Sequence, residues 1–516
     1  MLAFSPYISS FIDQIIVSIP YFKPELTLII TFIGIIIASL FVDKYWDKAS
    51  FTLTIAGLLL SGCYLLGQGL SHVEMVGFFD MIHIDTFATS ARMIILLSTL
   101  LITIFIQQRH QHDRPLGDLY AVVLTATLGL NLLTMSSNWL MIFIAVETVS
   151  ISSYIMVGYF SSNKVQSEAA MKYVLFGSIC AAVMLYGLSL LYGFTGNLNF
   201  DAPSHIAGLM EAPKLMISIA LLFLLTGIGF KLSFFPFHVW SPDVYQGAPT
   251  VITTYLATVP KIAVVVLLSK LLAAWLAVSF YFSDFLAYVI IIIAIATMLI
   301  GNLAALRQQD AKRMMAYSSI GHTGILLMAV LVYQNNESNV LLFYLSIYAL
   351  MNIAVFIFID SLEVSLGNTS IDSYKGLGKQ SPLLFTSFSI VLIALIGLPP
   401  TAGFVGKLLI FSKVFEQYQN FQSFGLLALL IVGALTSVIS LFYYFKIPLN
   451  AFLRDNVDHY SVKSNPLLLG IGLFCTIAVI LLGYSQTSYC LYFKKHFNSF
   501  LNTWFFQFIL LFLYGT

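Results

Sequence analysis

About fourteen apolar stretches follow one another along this chain, each close to the twenty residues that a helix needs to cross the hydrocarbon core of a bilayer. They run near residues 25–42, 51–70, 87–107, 118–135, 138–160, 170–194, 213–235, 249–275, 283–303, 314–333, 340–361, 383–412, 424–447 and 466–489. No other feature constrains the fold as tightly, because a segment in hydrocarbon must satisfy its own backbone polar groups, and the α-helix does so within one segment. Composition agrees. With 59% hydrophobic and 9% charged residues, the chain has too little charge to cover the surface of a soluble protein of 516 residues. The expected fold class is all-α, a polytopic membrane protein surrounded by the lipid bilayer.

Charge and cysteine usage exclude other classes. A net charge of +1 without clustered basic residues argues against nucleic acid as a partner. Cys63, Cys180, Cys475 and Cys490 stand singly, with no CxxC pair and no histidine at ligand spacing. No iron–sulfur cluster, zinc site or disulfide framework is indicated. Met1 to Tyr21 is apolar but lacks a basic leader and a small-residue cleavage site, so it is not read as a signal peptide.

Basic residues set the expected orientation. Lys44, Lys48, Arg109, Arg114, Lys164, Arg307, Lys312, Arg313, Lys375, Lys379, Arg454 and Lys463 all follow odd-numbered spans, whereas the even loops offer little beyond Lys214 and Lys413. The positive-inside rule then places the odd loops in the cytoplasm and the N-terminus outside. Residues 500–514 are apolar again and fit a short fifteenth crossing or an interfacial helix.

The few ionisable residues inside spans carry the chemistry, because a charge in hydrocarbon costs about 2.5 to 3.5 kcal/mol even on insertion scales. Lys231 ends an apolar run and is followed within five residues by Pro236, which removes a backbone donor where the helix would continue. Glu147 lies mid-span, too far from either end to snorkel, and is expected to meet Lys231. A fixed ion pair joining two helices is the plainer reading of the same two residues. Lys261 follows Pro260, and Lys407 follows the Pro399–Pro400 break. All three cations are lysines, which can release a proton when their surroundings change, whereas arginine cannot. His238 and His322 fit either relay positions or packing histidines. Lys172 fits either the buried path or a surface pair with Glu168 one turn earlier. Lys270 and Lys413 sit near helix ends and are expected to snorkel, and the many Tyr and Phe residues are read as packing.

Spans seven and twelve are both interrupted by proline, five spans apart and therefore in opposite orientations. That pattern predicts two inverted five-helix units, residues 118–275 and 283–447, after an N-terminal part, 1–117, and before a C-terminal part, 448–516.

Five segments in order, LGLNLLTMSSNWLMIFIAVETVSISSYIMVGY, SEAAMKYVLFGS, FKLSFFPFHVWSPDVYQGAPT, KRMMAYSSIGH and GLPPTAGFVGKLLIF, resemble subunit N of bacterial NADH-quinone oxidoreductase, respiratory complex I. The resemblance implies an antiporter-like fold that moves protons, driven by electron transfer from NADH to quinone elsewhere in the complex. It implies Glu147 as the carboxylate of the fifth helix, Lys231 as its partner, Lys261 as the central relay and Lys407 as the lysine of the outer half-channel. Lys172 and His322 match positions on the hydrophilic axis. It also implies a bacterial inner membrane, neighbouring membrane-arm subunits as partners, and no cofactor in this chain, with NADH, FMN, iron–sulfur clusters and quinone handled by other subunits. A subunit of a multisubunit cation/proton antiporter or of a hydrogenase-type membrane complex shares the broken helices and buried lysines, and remains the alternative.

Overall fold

The computed structural model describes the backbone of residues 5–110, 116–160, 164–333, 338–454 and 465–500, with side-chain surroundings from 12 to 484. Residues 501–516, most of the apolar tail, lie outside it. The described backbone is almost wholly helical, with one short hairpin.

The N-terminal part holds α1 (Ser5–Ser18), α2 (Lys23–Phe41), α3 (Ala49–Leu70), strands β1 (Met75–Gly77) and β2 (Ile82–Ile84), and α4 (Thr86–Arg109). A first group follows, with α5 (Gly117–Met135), α6 (Trp139–Gly158), α7 (Lys164–Thr195), α8 (Pro203–Glu211), α9 (Lys214–Leu232), α10 (Trp240–Gly247) and α11 (Thr250–Trp275). The next group comprises α12 (Tyr281–Leu306), α13 (Ala311–Leu331), α14 (Ser338–Leu366), the short α15 (Leu377–Gln380), α16 (Pro382–Ile396), α17 (Ala402–Phe421) and α18 (Phe424–Tyr444). One turn, α19 (Lys446–Pro448), leads towards α20 (Pro466–Phe500).

Among the described residues, 13 helical segments are long and apolar enough to cross a membrane. The twelfth expected span is the divided one, α16 and α17, so the count of about fourteen is met. The amphiphilic α8 and the N-terminal α1 lie outside the expected spans.

Local chemistry starts and stops these helices. Asp85 caps α4 by accepting from the Ala88 N–H at 2.6 Å, and Asp310 caps α13 by accepting from the Arg313 N–H at 2.8 Å. Proline occupies the first turn of α2, α8 and α16, where its missing donor costs nothing. Ser233 and Gly397 take left-handed backbone, with φ of 57° and 87°, and end α9 and α16 inside the bundle.

The two ends of the bundle differ in charge. Arg109 bonds Asp360 at 3.2 Å, Arg313 bonds Asp243 at 2.8 Å and Lys312 donates to the Ala248 carbonyl at 2.9 Å, all at the end of the odd loops. The opposite end gathers the hairpin, Trp139, Phe200, His205 and Trp275. Lys270 belongs to that end. Expected to snorkel, it is instead largely enclosed, 11% exposed, and paired with Asp85 at 2.9 Å. Its helix explains why: α11 is buried from Thr250 to Ser269, so protein encloses most of the side chain and Asp85 is the acceptor within reach.

Candidate functional site: a buried lysine axis

The centre of the molecule is α11, which sets Lys261 against α13. Lys261 is 1% exposed, and its Nζ donates to the Ser319 carbonyl at 2.9 Å, the Ser319 hydroxyl at 2.6 Å and the Thr323 hydroxyl at 2.9 Å. An ammonium's three donors are all used. The arrangement also serves a neutral amine, because either hydroxyl can turn and donate to the nitrogen.

Thr323 links this site to the first break. Its hydroxyl lies 2.9 Å from the carbonyl of Leu232, the last residue of α9. A helix end leaves its final carbonyls without intrahelical partners, so ending α9 here creates the acceptor that Thr323 meets. Phe235, inside the break, donates its N–H to the Thr297 hydroxyl at 3.0 Å, and Trp240 Nε1 donates to the Phe230 carbonyl at 3.1 Å.

Lys231, one residue before that end, is buried and has no hydrogen-bond partner. Its Nζ lies 5.6 Å from the Phe230 ring centroid and 6.0 Å from that of Tyr154. Ring faces attract a cation weakly and do not replace lost hydration. Glu147, mid-α6, has a buried Oε1 that is also unpartnered. The expected Glu147–Lys231 ion pair is not closed: no direct contact joins them, and Tyr154, two turns along α6 from Glu147, sits against the lysine.

Three residues past Ser319, which Lys261 meets, the axis continues through His322. Its Nδ1 lies 2.8 Å from the Tyr344 hydroxyl, and its Nε2 lies 3.4 Å from the Tyr444 hydroxyl, which in turn bonds Ser318. Ser319 also meets the Tyr348 hydroxyl at 2.9 Å. These three tyrosines correct the reading of tyrosine as packing alone. A signal existed: Ser318, Ser319, His322 and Thr323 recur at helical spacing in α13, a polar stripe in an apolar span.

Lys407 closes the far end. Its Nζ donates to the carbonyls of Leu395 and Ile396 at 2.9 and 2.8 Å, the orphan carbonyls at the end of α16, where the helix dipole favours a cation. A small cavity lined by His322, Asn302, Ser437, Tyr443 and Lys407 lies between histidine and lysine, with room for about one water.

The other two expected residues sit off this axis. Lys172 is half-exposed at the odd-loop end and binds Asp243 at 2.8 Å and Glu168 at 2.9 Å. His238 lies in the first break near Phe235, with Nδ1 unpartnered.

Two helices broken around buried lysines, joined by a polar core through a helix buried from Thr250 to Ser269, define an antiporter-like membrane subunit. The chain matches the family described as NADH:quinone oxidoreductase/Mrp antiporter, transmembrane, over residues 136–439. It is 37% identical over 470 residues to NADH-quinone oxidoreductase subunit N of Chlorobium chlorochromatii, covering 88% of this chain and 89% of the relative. Among solved structures, it superposes on a chain of respiratory complex I from Thermus thermophilus with a TM-score of 0.74 and 28% identity, covering 89% of this chain and 96% of that one. A chain of the Mrp complex from Dietzia, 19% identical with a TM-score of 0.75 and covering 90% and 94%, shares the fold. The chain therefore belongs to the subunit N family of NADH-quinone oxidoreductase.

Proposed function

We propose that the protein translocates protons as a membrane subunit of NADH-quinone oxidoreductase, along Lys231, Lys261, His322 and Lys407. The observation that carries this reading is the continuous bonding from the Leu232 carbonyl through Thr323 to Lys261, beside His322 and the water-sized cavity at Lys407. Each lysine plays a different part. Lys261 and Lys407 have acceptors that hold a proton in place, whereas Lys231 has none and depends on a charge partner.

Glu147 is that partner. Closing the contact to about 4 Å at an effective dielectric near 20 is worth about 4 kcal/mol, enough to decide whether Lys231 is charged. The open arrangement supports a toggle in which closure loads Lys231 and opening releases its proton towards Lys261. Lys172, Asp243 and Arg313 lie at the odd-loop, cytoplasmic end, where protons enter, His238 stands in the first break, and Lys407 leads to the opposite side. In this reading the chain works in a bacterial inner membrane, carries no redox centre, and packs against other membrane-arm subunits, while NADH, FMN, iron–sulfur clusters and quinone belong to other parts of the complex. The breaks divide it into inverted units 118–275 and 283–447.

Lys261→Met tests the route. In the assembled complex reconstituted into vesicles, NADH oxidation by quinone should generate a much smaller proton gradient than wild type. Full pumping in an assembled Lys261→Met complex excludes the lysine as a relay.

A further inference from the structure

A second group of buried charges lies outside the lysine axis, where α2, α3, α4 and α5 meet. Glu25 in the first turn of α2, Arg92 of α4 and Asn131 of α5 are each 0% exposed. Arg92 Nη1 donates to Glu25 Oε1 at 3.0 Å, and its Nη2 donates to the Thr89 hydroxyl at 3.0 Å and to Gln68 Oε1 at 3.2 Å. Gln68 is itself fixed by its amide donating to the Tyr21 carbonyl at 2.7 Å.

That leaves four polar atoms without a partner in the protein: Glu25 Oε2, Arg92 Nε and both amide atoms of Asn131. Asn131 stands beside Glu25 without the geometry of a direct hydrogen bond. Each unsatisfied buried group costs about 1–3 kcal/mol, and more when charged. A buried ion pair with open valences is costlier than an apolar replacement of the same size. The open atoms are complementary. Asn131 Nδ2 and Arg92 Nε are donors, Glu25 Oε2 and Asn131 Oδ1 are acceptors, and a water molecule both accepts and donates.

We propose that Glu25, Arg92 and Asn131 form a water-binding site, a second hydrated charge site in the N-terminal helices, which opens past Gln68 to the end of the bundle that carries the even loops. One water accepts from Asn131 Nδ2 and donates to Glu25 Oε2, and the Arg92 Nε–H and Asn131 Oδ1 hold a second. Gln68 is partly exposed near the end of α3 and is the side chain between the cluster and that end. The other charged side chains nearby, Asp85 and Lys270, are bonded to each other. The site stands independently of the proton route assigned above.

The assembled complex in lipid tests it by two measurements. A density map fine enough to resolve ordered water should place a water within hydrogen-bond distance of Glu25 Oε2 and Asn131 Nδ2, and a map of that quality with no water there overturns the proposal. In the infrared, the Glu25 carboxylate band, identified by its loss in Glu25→Gln, should shift when H2O is exchanged for D2O. A band that stays fixed means a dry ion pair and overturns it too. Asn131→Leu should remove both the water and the shift, and identifies the band if Glu25→Gln does not assemble. A shift that survives Asn131→Leu unchanged places the water elsewhere. Gln68→Leu should slow the exchange severalfold, and an unchanged rate overturns the entry past Gln68.

Discussion

The hydroxyl of Thr323 lies 2.9 Å from the Leu232 carbonyl while the same oxygen receives the Lys261 ammonium, also at 2.9 Å. The end of a broken helix and the central lysine thus share one side-chain oxygen.

Thr323→Val keeps the shape and removes that oxygen. It leaves the Leu232 carbonyl and one lysine donor unmet, a cost of about 1–3 kcal/mol for each buried group. The expected result is an assembled complex with a lower melting temperature and reduced proton pumping per NADH oxidised. Wild-type pumping in this variant would mean that the break and Lys261 act separately.

Gly397 supports Lys407 in a different way. At φ 87°, an added Cβ would be strained, and it would stand 2.8 Å from Lys407 Cδ. Gly397→Ala should destabilise by about 1 kcal/mol or more and push Lys407 off the Leu395 and Ile396 carbonyls. Pumping should fall while NADH oxidation through the rest of the complex is less affected, a ratio read from paired gradient and absorbance assays.

Glu147 and Lys231 are expected to be energetically coupled despite their separation in this conformation. If closure of their contact sets the charge on Lys231, Glu147→Gln and Lys231→Met should not add in a double-mutant cycle on pumping rate. The expected coupling is about 0.5–3 kcal/mol. Simple additivity would show that the two residues work independently.

His205, in α8 outside the spans, gives a pH test of fold stability. Burial lowers its pKa from 6.5 to about 4, partly opposed by its contact with the Asn197 carbonyl at 3.2 Å. Nδ1 carries the hydrogen in that contact, and Nε2 is buried without a partner. Because the unfolded chain takes up the proton first, this contribution is complete above pH 6.5 and is lost progressively down to about pH 4. The slope is about 1.4 kcal/mol per pH unit. Across that window, melting of wild type should depend on pH more steeply than melting of His205→Phe, which keeps the ring against Trp275. Equal slopes would remove His205 as the source.

The membrane class, the span count, both breaks and the lysines were legible in the sequence, because hydropathy and proline act locally. Apolar length dictates helices wherever water is absent, and Pro236 and Pro399–Pro400 end them regardless of what surrounds them. The roles of neighbouring polar residues were not legible. Ser319 and Thr323 stand in a polar stripe whose partners the sequence does not name, and Tyr344, Tyr348 and Tyr444 read as packing until α11, α13 and α14 were set side by side. The same holds for Lys270 and for Glu25 with Arg92.

Sequence alone therefore determined that cations would be buried among broken helices, since that follows from residue order along single segments. Which acceptor each cation meets was decided only by tertiary packing. Lys261 finds hydroxyls 58 and 62 residues away and Lys407 finds the carbonyls of its own divided span. Lys231 finds none. A hydrogen bond forms over about 3 Å, and only the packed bundle brings such distant groups that close.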